Sequence, residues 1–183
     1  MASGKEPTET KLSELVPKAE FIEDVASYLQ GDSVDEALEK LREAHQKYKY
    51  IELEISQRKQ RLALKRPEIE KCLESVKLLR EQREAGREAV LDFALSDQVF
   101  ARARLAAGVE HVALWLGAGV MLEYPLDEAH ELLRTQLAGC ERQSLVVQQE
   151  ADFIRDQLTT TEVSMARVYN YGVTQRKPGV AAS

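Results

Sequence analysis

Thiols, aromatic rings and surplus positive charge are all scarce in this chain, and each scarcity removes a class of function. Cys72 and Cys140 are the only cysteines, with no C-x-x-C spacing and no clustered histidines beside them. Neither a structural zinc site nor a redox motif is expected. Both thiols fall where a helix would bury them, as small packing residues. Aromatics make up 6% of the 183 residues while charged residues make up 31%. That is little ring bulk for an ordinary core of this length, and it suits long solvated helices better. The net charge of −6 argues against a general nucleic-acid binder, which needs a basic surface to neutralise phosphates. Long apolar runs are missing too. The nearest, Val112 to Leu122, is too short to span a bilayer, and the first residues hold no apolar stretch of signal-peptide kind. A cytoplasmic location is expected, with a nuclear one left open.

Catalytic signatures are equally absent. Gly117-Ala118-Gly119 lacks the third glycine of a dinucleotide fingerprint and is followed by strand pattern, so it reads as a hairpin turn. His45, His111 and His130 have no nucleophile at a suggestive spacing, and no H-E-x-x-H or P-loop occurs. The expectation is no catalytic residue, no cofactor, no metal and no ATP site. The chain should act by binding.

What is present in quantity is heptad order. Leu41, Tyr48, Ile55, Leu62, Ile69 and Val76 form one column at a spacing of seven, and Leu133, Cys140, Val147, Ile154, Thr161 and Val168 form another. Each extends over 35 residues, about 52 Å of helix. In the second helix the companion column Leu137, Ser144, Ala151, Leu158 and Met165 completes an a/d pattern. In the first, the companions are Ala44, Ile51, Arg58, Lys65, Cys72 and Leu79, charged at the centre and poorly suited to a parallel zipper. Two helices of matched length with a compact segment between them should fold back into an antiparallel coiled coil. Pairing Leu41 with Val168 and Val76 with Leu133 sets Arg58, Lys59, Arg61, Lys65 and Arg66 against the region of Glu141 and Glu150. Each such exposed pair contributes a few tenths of a kcal/mol.

Around this frame the chain divides as follows. Residues 1–18 are polar and expected to be disordered. Residues 19–31 carry Phe21, Ile22, Val25, Tyr28 and Leu29 at spacings of three and four, read as a short amphipathic helix stopped by Gly31. Ser33 with Glu36 forms a capping box that opens a helix over 33–85, with a kink expected at Pro67. Between 88 and 124 the period falls to two. Leu91, Phe93 and Leu95, then 99–105, 109–116 and 120–124, make four strands or two hairpins. A second helix covers 126–170, with Asp127 as its N-cap, and 171–183 forms a flexible tail. Four short strands leave exposed edges, and the third is apolar on both faces. Such strands should be completed by other chains. The fold class is therefore α+β: a long antiparallel two-helix coiled coil joined by two β-hairpins that complete a multi-subunit β-barrel.

Leu114-Trp115-Leu116-Gly117-Ala118-Gly119-Val120-Met121-Leu122-Glu123-Tyr124 followed by Asp127-Glu128-Ala129 resembles the hairpin-to-helix stretch of prefoldin alpha-type subunits. Asp152 to Asn170, with its Thr159-Thr160-Thr161-Glu162-Val163 block, points to one eukaryotic subunit type within that class. Phe21-Ile22-Glu23-Asp24-Val25, Gln46-Lys47-Tyr48-Lys49 and Pro67-Glu68-Ile69 fit the same pattern. The resemblance covers about residues 17 to 173. Tyr171 stands where a tryptophan is familiar, and the turn at 105–111 is unlike its relatives.

The resemblance implies a hetero-hexameric chaperone of two alpha-type and four beta-type subunits, whose strands join into a double β-barrel. It implies that free coiled-coil ends hold unfolded actin and tubulin and pass them to the cytosolic chaperonin without ATP. The other prefoldin subunits, and the von Hippel-Lindau protein, are the further partners it suggests. On the residues, Phe21, Ile22, Val25, Tyr28, Leu29, Met165, Tyr169 and Tyr171 gather near the coil ends as a candidate client-binding patch. The alternative is that the short helix only caps the coil. Leu91, Phe93, Phe100, Val112, Leu114, Trp115, Leu116, Val120 and Leu122 are the candidate assembly residues. A structural coiled-coil adaptor binding one folded partner needs the same shape and stays open as a second function.

Overall fold

The computed structural model describes residues 16–176. Its elements are α1 (Val25–Leu29), α2 (Val34–Glu84), β1 (Ala89–Ser96), β2 (Val99–Leu105), β3 (His111–Gly117), β4 (Val120–Pro125) and α3 (Leu126–Gln175). The chain forms two compact units. Among the described residues, one holds 16–60 with 144–176, the other Arg61–Gln143. Both long helices contribute a segment to each.

In the first unit α2 and α3 pack antiparallel along the expected columns. Tyr48, Ile55, Val147, Ile154, Thr161 and Val168 are buried, and Leu41 is half-buried. At one end Ile22, Val25, Ala37, Leu38 and Val168 form a small core, with Leu29, Val34, Leu41, Met165 and Tyr171 packed against it. A Cβ on Gly172 would lie 2.7 Å from Val34 Cγ1, so only glycine allows the end of α3 this close to the start of α2. Polar pairs fix the register: Arg58 Nη1 to Glu150 Oε2 at 3.1 Å, Lys59 Nζ to Gln148 Oε1 at 2.8 Å, and Arg176 Nη2 to Asp35 Oδ2 at 3.1 Å.

In the second unit Ile69, Leu73, Val76, Leu126, Ala129, Leu133 and Cys140 form the core, joined by Val112, Leu114 and Tyr124 from the second hairpin. Arg66 reaches Glu141 at 3.4 Å. The central companions Arg58 and Lys65 are exposed, as their charge requires. Each hairpin is its own antiparallel two-stranded sheet, β1 with β2 and β3 with β4. Register shifts fall between Ala94 and Ser96 and between Trp115 and Gly117. Gly117 pairs with Val120, leaving the two-residue loop Ala118-Gly119 with φ of 50° and 76°. Two positive φ values are the mark of a turn whose twist matches the strands it joins.

Several expectations need correction. The short helix does not run over 19–31: residues 19–24 belong to no helix or strand, with a bend at Glu23 and extended backbone at Asp24, and only Val25–Leu29 is helical. Asp24 is its N-cap, accepting from Ala26 N at 3.0 Å, and Gln30 with φ 42° ends it just before Gly31. Asp127 does not cap α3, which begins at Leu126. It pairs instead with Arg80 at 2.9 Å and Arg83 at 3.3 Å. The helix runs past residue 170 to Gln175, taking Tyr171 with it. Cys72 is exposed, whereas Cys140 is buried and lies 3.9 Å from the Leu62 carbonyl. Pro67 sits within a continuous α2. The capping box forms as read: Ser33 N donates to Glu36 Oε2 at 3.0 Å, and Glu36 N to Ser33 Oγ at 3.2 Å. Most of the expected polar N-terminus and the end of the tail, 1–15 and 177–183, lie outside the described residues.

Candidate binding and assembly surfaces

Residues 16–24 of the first unit cross α3 as a strap, and almost everything that holds them grips main chain. Ala19 N donates to Gln157 Oε1 at 2.8 Å. Ser164 Oγ accepts from Ile22 N at 3.4 Å and donates to the Glu20 carbonyl at 3.3 Å. Arg167 Nη2 donates to the Glu23 carbonyl at 2.9 Å, and its guanidinium lies 5.1 Å from the centre of the Phe21 ring. From α2, the Tyr48 hydroxyl donates to the Pro17 carbonyl at 2.7 Å. Burial raises that phenol above its ordinary value near 10, because desolvation disfavours the phenolate.

The receptor for the strap is a third column of α3 beside the hydrophobic seam. Glu150, Gln157, Ser164 and Tyr171 are spaced by seven and sit one residue before Ala151, Leu158, Met165 and Gly172. Ser164 is wholly buried, and Gln157 and Thr161 nearly so. Polar residues this deep need partners. Gln157 Nε2 and Thr161 Oγ1 find theirs in the carbonyls of Phe153 and Gln157, one turn back. Gln157 Oε1 and Ser164 find theirs in the strap. The sequence carried a signal for this, since polar residues recur at heptad spacing beside a complete seam. The heptad reading assigned Gln157 and Ser164 no role.

The eight residues of the candidate client patch separate by burial. Ile22 and Val25 are core. Leu29, Met165 and Tyr171 are half-buried against them. Phe21, Tyr28 and Tyr169 remain exposed, at 50%, 39% and 60%. Tyr50 is also exposed and was not among the eight. It borders an open groove of about 730 Å³ on α2 between Lys40 and Ile51, edged by Val16 and Pro17.

The hairpins of the second unit are open in a different way. Cross-strand partners share a face, so Leu91, Phe93, Ala101, Ala103 and Leu105 form one side of the first hairpin, and Asp92, Arg102 and Arg104 lie on the other. Leu91, Phe93, Val99 and Phe100 are all more than 40% exposed. On the second hairpin, Val112, Leu114 and Tyr124 turn inward and are half-buried. Trp115 and its partner Met121 are exposed, as are Leu116, Val120 and Leu122. Val90, Leu95, Val99 and Met121 add to this apolar surface beyond the residues expected from sequence. Two strands with free edges and bare rings are marginal in water without further burial.

Among the described residues no group of three or more His, Cys, Asp or Glu side chains is placed to hold a metal, and no helix is long and apolar enough to cross a membrane. A family model described as prefoldin subunit matches residues 48–171. The chain belongs to the prefoldin family. Curated prefoldin subunit 3 proteins are similar to it along most of its length. Those of Homo sapiens and Mus musculus are each 42% identical over 164 residues, which is 88% of this chain and 83% of theirs. That of Drosophila melanogaster is 40% identical over 176 residues, or 94% of this chain and 89% of its own. The prefoldin α+β coiled-coil fold accounts for two long paired helices with two hairpins between them. Tyr48, Gln157, Ser164 and Arg167 fall inside the family match, and the strap precedes it.

Proposed function

We propose that the chain is an alpha-type subunit of a hetero-hexameric prefoldin. In this reading its hairpins complete a multi-subunit β-barrel, and the helix ends of its first unit hold unfolded polypeptide without catalysis or ATP. The observation that carries the reading is the apolar surface of the hairpins in a chain of this family. Leu91, Phe93, Phe100, Trp115, Leu116, Val120 and Leu122 are exposed, and burial against neighbouring strands would remove their cost at about 25 cal/mol per Å². Val112 and Leu114 would fasten the second hairpin to its own helices. Unfolded chains of the actin and tubulin kind are the proposed clients, and the cytosolic chaperonin their proposed recipient. Phe21, Tyr28 and Tyr169 supply the exposed rings for the first contact.

The test is native mass followed by aggregation assays. The chain alone is expected to be unstable or aggregated, and to enter one discrete hexamer with the other prefoldin subunits. That hexamer should suppress aggregation of several unrelated denatured proteins. A stable monomer that ignores those subunits and saturates with one folded partner would establish the adaptor function instead.

A further inference from the structure

The strap is bound as a peptide would be. Four side chains, Tyr48, Gln157, Ser164 and Arg167, make five hydrogen bonds to it, and every one ends on a main-chain N–H or carbonyl. Among the described residues, no side chain from Pro17 to Glu23 makes a hydrogen bond or ion pair in return. Lys18, Glu20 and Glu23 point to solvent. One side chain of the strap proper, Ile22, is buried, at 5% exposure.

We propose that Tyr48, Gln157, Ser164 and Arg167 form a sequence-tolerant site for extended, non-native polypeptide, and that residues 16–24 occupy it in cis until a client displaces them. This deepens the holding function above and rests on it. The receptor asks for an N–H at Ala19, a carbonyl at Glu20, an N–H at Ile22 and a carbonyl at Glu23, with one apolar anchor among them. A main chain outside helix and sheet, with its peptide groups free, offers donors and acceptors in that order. A folded protein has already paired its own, so the site discriminates against native structure without reading sequence. As in strand addition, bonds to the peptide main chain give affinity and one pocket gives direction, but the receptor here is a set of helix side chains in place of a sheet edge. Buried Gln157 and Ser164 cannot be left without partners cheaply, which is why a resident strap is needed when no client is bound. Tethering gives the strap a high effective concentration. A client competes only when several of its segments engage the hexamer together.

The test uses the reconstituted hexamer and a fluorescently labelled, permanently unfolded probe, reduced and carboxymethylated α-lactalbumin. Hydrogen exchange is followed at the Ala19 and Ile22 amides. Saturating probe is expected to speed exchange at both. Ile22→Ala loosens the strap and spares the receptor. It should tighten probe binding by roughly an order of magnitude, since apparent affinity scales with the open fraction. Adding Gln157→Ala should abolish that gain. If Ile22→Ala prevents assembly, Ala19→Pro deletes the N–H given to Gln157 while fixing φ at that position, and makes the same comparison through probe affinity and exchange at the Ile22 amide. Probe binding with both amides still protected, or unchanged affinity in the loosened variants, would overturn the proposal and leave the holding function standing. No probe binding by either the wild-type or the loosened hexamer would overturn both.

Discussion

Ser164 has no exposed surface, and its hydroxyl serves two main-chain groups of the strap at once. Tyr48 does the complementary task from α2 with a single donor. The phenol titrates above its ordinary value because burial disfavours its charge. Folding therefore favours the neutral form. Its contribution is complete below pH of about 10 and is lost as pH rises through the higher folded value, where the donor to Pro17 disappears. Hydrogen exchange along the strap is expected to accelerate in that alkaline window. Tyr48→Phe should remove the step and weaken strap closure at neutral pH by about 1 kcal/mol. An identical pH profile in wild type and variant would mean that another group governs the strap. Single residues were the hardest scale to read from sequence. Cys72 and Cys140 both sat on heptad columns, yet only Cys140 has a complete seam around it; Cys72 follows Arg58 and Lys65 in a column too charged to close.

Among the elements, α2 and α3 were legible because a seven-residue period over 35 residues leaves few other arrangements, and charge then selected the antiparallel register. The strands were legible from the change of period at residue 88. The segment 19–31 was not. Spacings of three and four at Phe21, Ile22 and Val25 suit one helical face, but the side chains that hold the main chain of residues 19–23 lie on a helix more than 130 residues away. Local pattern carries no trace of them. The second hairpin offers a test of how tightly turn chemistry is written. Ala118 holds φ at 50°, where its Cβ is crowded and asparagine is favoured. Ala118→Asn should stabilise the β3–β4 hairpin by about 1 kcal/mol, read as a higher thermal midpoint of the hexamer. An unchanged or lowered midpoint would mean that the loop is held by neighbours in the assembly.

For the molecule as a whole, exposure of the hairpins carries the largest consequence. Substitution of a side chain that is 65% exposed, as Trp115 is, ordinarily shifts stability by about 0.5 kcal/mol or less. Here Trp115→Asp and Phe93→Asp are expected to prevent hexamer formation, read by native mass after mixing with the other prefoldin subunits. A normal hexamer containing both substitutions would exclude those faces from the subunit contacts. The strap has a consequence of another kind, in how the chain tolerates change over generations. Because its fastening points lie on the peptide backbone, Lys18 and Glu20 are free to drift as long as the apolar pair Phe21 and Ile22 stays and none of the required N–H groups becomes proline. Gln157, Ser164 and Arg167 have no such latitude. A saturation library over both stretches should return a permissive strap lying across a nearly invariant helix face.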